Sequence, residues 1–363
     1  MIRLMAEQQF YGRRLRSARV MKGLSMDELI ALMPDVKLSK PAISKYENDK
    51  MTPSPEIRMA LAATLGVPMD YFFRPLAPEN EDLNYDFRKK SSMTATQINA
   101  LKEKVRDKVE RYIEVEQILS DAAVVQNKIS LPHRDNVKER AEVIQFATQV
   151  RKEWNLSESP IMNIQCELEG HGIKVIPIEE NDEFDGLSGT IQNDKVFIVI
   201  NSSKKHVERR RLTILHELAH QMMSFDASLS GRQVEALCNV FANEMLIPTS
   251  AFKKHLDGDN NIDLVSLRPL QFYYGISIDA LMKKAEVTGL INTSQYTYYN
   301  ILKNKNQSFK LAVETSLYTE APIYDRFLAM VLKAYSLKLI DKDKASSLLH
   351  DVAPEKKADL EIL

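Results

Sequence analysis

Cysteine is almost absent from this chain: 363 residues hold two, Cys166 and Cys238. Neither has a C-x-x-C partner, which excludes a disulfide framework and a thiolate zinc knuckle and leaves free thiols in a reducing compartment as the expectation. Long apolar runs are missing as well. No stretch reaches the length of a membrane-spanning helix, and the start "MIRLMAEQQFYGRRLRS" lacks an apolar core followed by a small-residue cleavage site. A cytoplasmic protein without membrane partners is expected. Glycine and proline are sparse, at 11 and 14, beside 44% apolar and 27% charged residues. That composition argues against a low-complexity chain and for a helix-rich globular one, long enough for two or three domains.

Net charge is nearly absent too, at −1, but it is unevenly spread. Residues 1–75 carry 12 Lys and Arg against 8 Asp and Glu. A modestly basic module on an acidic body is compatible with DNA binding without establishing it.

That module is punctuated by helix signals. "YGRRLRSARVMKG" has helical spacing and stops at Gly23, where a left-handed helix end is easy. "LSMDELIALM" offers Ser25 as an N-cap with Glu28 three residues on, a capping box. In "LSKPAISKYENDKMTPS", Ser39 is a second cap, Pro41 lies early in the helix, and Ile43 and Tyr46 face inward. "SPEIRMALAATLGV" then ends at Gly66. Over residues 8–75 these short helices resemble the XRE-type helix-turn-helix domain of phage repressors, whose recurring pattern is met by Ser39, Ile43, Ser44, Lys45, Glu47, Asn48, Pro53 and Ser54. The resemblance implies operator DNA as a partner. By placement, Lys40, Ser44 and Lys45 project toward a major groove and Asn48 toward phosphate. "MPDVKLSK" lengthens the turn before the recognition helix, and a helical docking module is the competing reading.

Residues 76–136 read as linker and long helix. "PLAPENEDLNYDFRKKSSMTATQ" opens polar and proline-containing, and residues 96–128 then run without Gly or Pro. Ile98, Leu101, Val105, Tyr112, Val115 and Leu119 fall on a heptad stripe that Lys108 interrupts. Such a stripe either pairs two chains as a homodimer or packs within its own chain.

"LTILHELAHQMMS", residues 212–224, carries the chemistry. On a helix, His216 and His220 stack on one face and offer two corners of a tetrahedron around Zn²⁺, although another divalent metal is possible. Glu217 sits about 100° around, badly placed to ligate and well placed to hold a water. Leu212, Ile214, Leu215, Leu218 and Ala219 make the helix apolar, so the polar trio would be costly without a metal or partners. A catalytic zinc usually has three protein ligands. "SGRQVEALCNVFANEMLIP" supplies Glu235, with Asn239 one turn on to brace an imidazole, while Glu244 competes from the opposite side of the helix.

These two segments resemble the ImmA/IrrE family of bacterial metallopeptidases, which shows R-F-T-x-A-H-E-L-G-H and then E-x-x-A-N-x-F-A-x-x-L-L-M-P. Here they read "RLTILHELAH" and "EALCNVFANEMLIP", with Ala219 for the usual glycine and Cys238 for the usual alanine. "GIKVIPIEE" and "GLSGTIQNDKVFIVINSS" form a similar strand-rich approach, and the likeness spans about Val137 to Val287. The resemblance implies a zincin-like metallopeptidase domain, placed at residues 137–250, and a repressor or other regulatory protein as substrate. Glu217 would act as general base toward a water on the metal. The strand "KVFIVIN" is expected to offer an edge for an extended substrate. His171 and His206 read as surface residues, and Cys238 as a small buried one.

Residues 251–363 read as a helical C-terminal region without chemistry, its aromatic "SQYTYYNILKNK" a packed edge. The expected fold is mainly α with a small β-sheet (α+β). Two functions stand against each other: a DNA-binding regulator with a zinc endopeptidase domain, and a metal-bound transcriptional regulator or antitoxin-like protein that does not cut.

Overall fold

The computed structural model describes residues 9–74, 84–85, 93–123, 131–191, 195–203, 206–257, 262–319 and 325–352. Most of the polar linker read between Pro75 and Met93 lies outside the described residues. The protein is mainly α-helical with a small sheet, as its composition implied. It divides into two compact units: residues 1–83, 89–127 and 325–363 in one, and 84–88 with 128–324 in the other.

The first unit begins with α1 (Gly12–Met21), α2 (Met26–Ala31), α3 (Lys40–Glu47) and α4 (Pro55–Leu65). The caps are those the sequence signals. Ser25 and Glu28 form a reciprocal capping box, Ser39 Oγ accepts from Ala42 N, and Gly66 closes α4 at φ 67°. Leu15, Ala18, Leu29, Ile43, Tyr46, Leu61 and Leu65 build a closed core. Arg19 clamps α1 to α3 through paired hydrogen bonds of 2.6 and 2.8 Å to the Glu47 carboxylate.

The long helix α5 (Ala95–Asp121) joins this unit rather than standing apart. Its buried stripe, Leu101, Val105, Val109, Tyr112, Val115 and Leu119, packs against α1 and the C-terminal helix Arg326–Ser336. The apolar face is therefore used within the chain, and the homodimer seam is not needed to cover it. Val109 replaces the lysine position, because an α-helix over seven turns keeps a 3.6-residue period and not a strict heptad. Buried ions lock the arrangement. Arg111, 2% exposed, donates to Asp107 and Asp351, and Arg74 donates to Ser347.

In the second unit the sequence alternates short helices with β-strands. A two-residue strand β1 (Asn84–Tyr85) is followed by β2 (Arg134–Val137), α6 (Arg140–Glu153), α7 (Ile164–Gly170), β3 (Lys174–Ile178), β4 (Gly186–Ile191) and β5 (Lys195–Asn201). Then come α8 (Val207–Met222), β6 (Met223–Phe225), α9 (Gly231–Leu246) and α10 (Thr249–His255). Helices α11 (Leu264–Tyr274), α12 (Ile278–Val287), α13 (Thr293–Lys305) and α14 (Gln307–Glu314) complete it. The main sheet runs β1-β4-β5-β3, with β5 antiparallel to β4 and parallel to β3.

This order corrects one expectation. The strand "KVFIVIN" is β5, which is paired on both sides, so its hydrogen-bonding edge is not open to a peptide. Its residues 197–201 are all buried, as a central strand covered on both faces requires.

α8 is fixed at its start by Arg211, which is fully buried and donates to the carbonyls of Ile161, Met162, Tyr274 and Gly275. Its guanidinium also lies 4.5 Å from the Tyr318 ring centroid. Gly275 is required there twice over: its φ is +61°, and a Cβ would come within 2.6 Å of Arg211 Nε.

The ion cluster of the first unit gives a test. Burial alone would raise the Asp351 carboxyl, but Arg111 and Lys108 hold it far below the usual carboxylate range. A depressed folded-state pKa stabilises above the unfolded value and is lost as pH falls toward the folded one. Asp351→Asn is expected to destabilise the first unit by about 1–3 kcal/mol near pH 7, since Arg111 loses a carboxylate. The fall in melting temperature between about pH 5 and pH 3 should be shallower than in wild type. Thermal melts of both proteins across that range check it; parallel curves would remove Asp351 from the account.

Candidate metal centre

α8 crosses α9 and lies over β4 and β5, and its polar residues occupy the faces where these elements meet. One turn of helix separates His216 from His220, and their rings sit with centroids 5.0 Å apart at 76°. Glu235 comes from the second turn of α9. His216 Nε2 lies 3.0 Å from Glu235 Oε2, His220 Nε2 lies 3.7 Å from Glu235 Oε1, and the two Nε2 atoms are 3.2 Å apart. Side-chain exposures of 14%, 8% and 39% put the histidines inside and the carboxylate at the mouth.

The opposite edge of each imidazole is also engaged. His216 Nδ1 faces Asn239 Oδ1 at 3.0 Å, and His220 Nδ1 faces Cys238 Sγ at 3.2 Å. With the protons on Nδ1, both Nε2 lone pairs and the carboxylate converge on one point. Bonds of about 2.0–2.2 Å in a tetrahedral zinc site put ligand atoms roughly 3.3 Å apart, near the 3.0 and 3.2 Å that separate His216 Nε2 from Glu235 Oε2 and from His220 Nε2. The three residues fit a divalent cation: among the described residues, two histidines and a glutamate each bring a ligand atom to within 4.8 Å of the others.

The competing carboxylate is elsewhere. Glu244 is buried, accepts from Thr249 N at 2.7 Å at the start of α10, and pairs with Lys284 at 2.8 Å. Burial pushes the Lys284 ammonium down despite that pair. His171 stacks on Trp154 at 4.1 Å, and His206 stands at the N-terminal boundary of α8 without a side-chain capping bond.

Glu217 points to the sheet side of α8. Its Oε2 accepts a hydrogen bond from Ser188 Oγ on β4 at 2.9 Å, and Ser188 Oγ accepts from Gln221 Nε2 at 3.0 Å. Sequence reasoning passed over both partners. Alternation puts Gly186, Ser188 and Thr190 on one face of β4, but nothing local tells a serine that meets a helix carboxylate from one that merely fills space. Gly186 marks how near the two elements run: a Cβ there would sit 2.8 Å from Thr213 Cγ2 and 3.6 Å from Glu217 Cγ. The close approach of strand and helix is carried by this glycine.

Residues 168–286 match the family described as the IrrE N-terminal-like domain of M78 peptidases, and residues 12–74 match a helix-turn-helix domain. The chain joins a helix-turn-helix domain to an IrrE-like peptidase-family domain. His216, Glu217, His220 and Glu235 all fall within the IrrE-like match. No curated protein matches the chain. No helix among the described residues is long and apolar enough to cross a membrane.

In the helix-turn-helix domain α3 presents an exposed Lys45 and a half-buried Ser44. Lys40, at its first turn, pairs with Asp27 at 2.6 Å, both side chains more than 60% exposed. Such a solvated pair contributes little to stability. The Asn48 amide donates to Ser44 O at 2.7 Å, closing the end of α3.

The convergence of ligands sets an expectation for the metal. Wild-type protein should carry about one equivalent of divalent metal, with Asn239→Ala holding it roughly 10–100-fold more weakly. Glu235→Ala should lose more than that. Elemental analysis after chelator competition measures both, and full occupancy in Glu235→Ala would show that another residue is the third ligand.

Proposed function

We propose that the chain is a DNA-binding regulator whose IrrE-like domain is a zinc-dependent endopeptidase, with a repressor or other regulatory protein as its substrate. The observation that carries this reading is Glu217: an intact carboxylate on the helix of the two histidines, held by a hydrogen bond from the neighbouring strand. A metal-bound regulator that never cuts would need His216, His220 and Glu235 but no such base.

His216, His220 and Glu235 would hold the metal, residues 137–250 forming the body of the domain. When bound, the metal supplies Lewis acidity, polarising a peptide carbonyl and lowering the pKa of a water. Glu217 would accept a proton from water at its carboxylate and give it to the leaving amine. Asn239 and Cys238 fix the imidazole orientations from behind. β4, the strand beside Glu217, lies between β1 and β5 in the sheet.

Glu217→Gln keeps size and hydrogen-bonding capacity but accepts no proton. Metal content should remain near wild type, while cleavage of the cognate regulator falls by about 10²–10⁴. Coexpression with neighbouring-gene products, followed by fragment analysis and reporter transcription, reads this out. Identical transcriptional control by wild type and Glu217→Gln, with no fragment of any neighbour, would leave the non-cleaving regulator.

For the first unit we assign operator contact to α3. Replacing Lys40, Ser44 and Lys45 together with Ala in the full chain should weaken binding to promoter DNA of its own gene and flatten the salt dependence. Unchanged affinity and salt slope in a binding assay would move the interface to another helix.

A further inference from the structure

The geometry points to Ser188, steered by Gln221, as the positioning residue that holds Glu217 at its working place from the sheet. This rests on the reading of Glu217 as general base and adds what sets that base's position.

The direction of the hydrogen bonds follows from counting protons. An ionised carboxylate only accepts, so the 2.9 Å contact between Ser188 Oγ and Glu217 Oε2 takes the one proton of the hydroxyl. The Gln221 amide, 3.0 Å from the same oxygen, must then present its NH₂ group. Gln221 lies four residues after Glu217, so the two flank one groove of α8 and the serine side chain inserts between them from β4. Ser188 is 2% exposed, which keeps water from competing for either bond.

Two further features say that this contact places the base and is more than a staple between strand and helix. Gly186, on the same face of β4, lets the strand approach until a methyl would not fit beside Thr213, so the serine reaches Glu217 without stretching. Ser188 stands two residues on from Gly186 on the same face, so the hydroxyl is delivered by backbone that lies directly against α8. A misplacement of about 1 Å at such a site costs on the order of 10²-fold in rate.

Two variants and two readouts test it on the full-length, metal-loaded protein. Ser188→Ala removes the donor. Gln221→Glu leaves the serine in place but offers it a carboxylate, which draws its proton away from Glu217. Both should lower kcat for the cleaved regulator by about 10–100-fold, with KM, metal content and melting temperature changed little. Without substrate, the visible absorption of the Co²⁺-loaded protein responds to the groups around the ion. It should shift in Ser188→Ala in the direction that it shifts in Glu217→Gln. Wild-type kcat and an unshifted cobalt spectrum in Ser188→Ala would overturn the assignment. A loss confined to stability or metal content, equal in Ser188→Ala and Gln221→Glu, would also overturn it and reduce the contact to structural support. The two claims fail separately: cleavage surviving in Glu217→Gln sinks the general base, whereas cleavage lost there but kept in both other variants sinks only the positioning role.

Discussion

Three electron-pair donors, His216 Nε2, His220 Nε2 and a Glu235 carboxylate oxygen, face one another where α8 crosses α9, and a cation is what such an arrangement fits. Much of the second unit is arranged around keeping those two helices in place. Arg211 fixes α8 to the carbonyls before β3 and around Gly275, and Gly186 lets β4 lie against it. Phe241, Ala242 and Met245 bury the inner face of α9 in the same core as Leu215 and Leu218. Each histidine is then braced from α9, by Asn239 and by Cys238. Cys238 thus touches the His220 imidazole rather than filling space alone.

Local relations were legible in the sequence. Caps at Ser25 and Ser39, and the four-residue spacing of His216 and His220, depend only on neighbours along one helix. Glu235 was also readable, because its spacing to Asn239 repeats the same helical arithmetic. Strand order was not. An apolar run such as Phe197–Ile200 says that a strand is buried, and burial on both faces already argues against an edge. It does not say which strands flank it. Ser188 and Gln221 were missed for the same reason: their meeting depends on where β4 lies against α8.

The stripe on α5 shows a related ambiguity. A row of apolar residues states that a helix is covered, without naming the cover, and a second chain and a distant segment of the same chain satisfy it equally. Here the cover comes from α1 and from Arg326–Ser336, more than 200 residues farther along. The ion pairs of Arg111 with Asp351 and of Lys108 with Asp351 reinforce it. The lysine that interrupts an ideal heptad seam is, in this packing, a partner for an acidic group. The C-terminal region read as one piece, residues 251–363, is thus divided: 251–324 belong to the second unit and 325–363 to the unit that holds the helix-turn-helix domain.

That chain path bears on how a cut or a metal could influence DNA binding. The proposed metal ligands all lie in one unit and α3 in the other, while the backbone passes between the units at residues 83–84, 88–89, 127–128 and 324–325. Metal binding stabilises the folded state of the unit that holds the ligands, by an amount set by its affinity. It acts on the other unit only insofar as the two folded states differ in that affinity. Hydrolysis of a separate regulator needs no such coupling, since the bond broken lies in another molecule. In the function proposed, Glu217 and the helix-turn-helix domain would serve one regulatory outcome without an internal signal: DNA binding would set where the protein resides, and the carboxylate held by Ser188 would act on what it meets there.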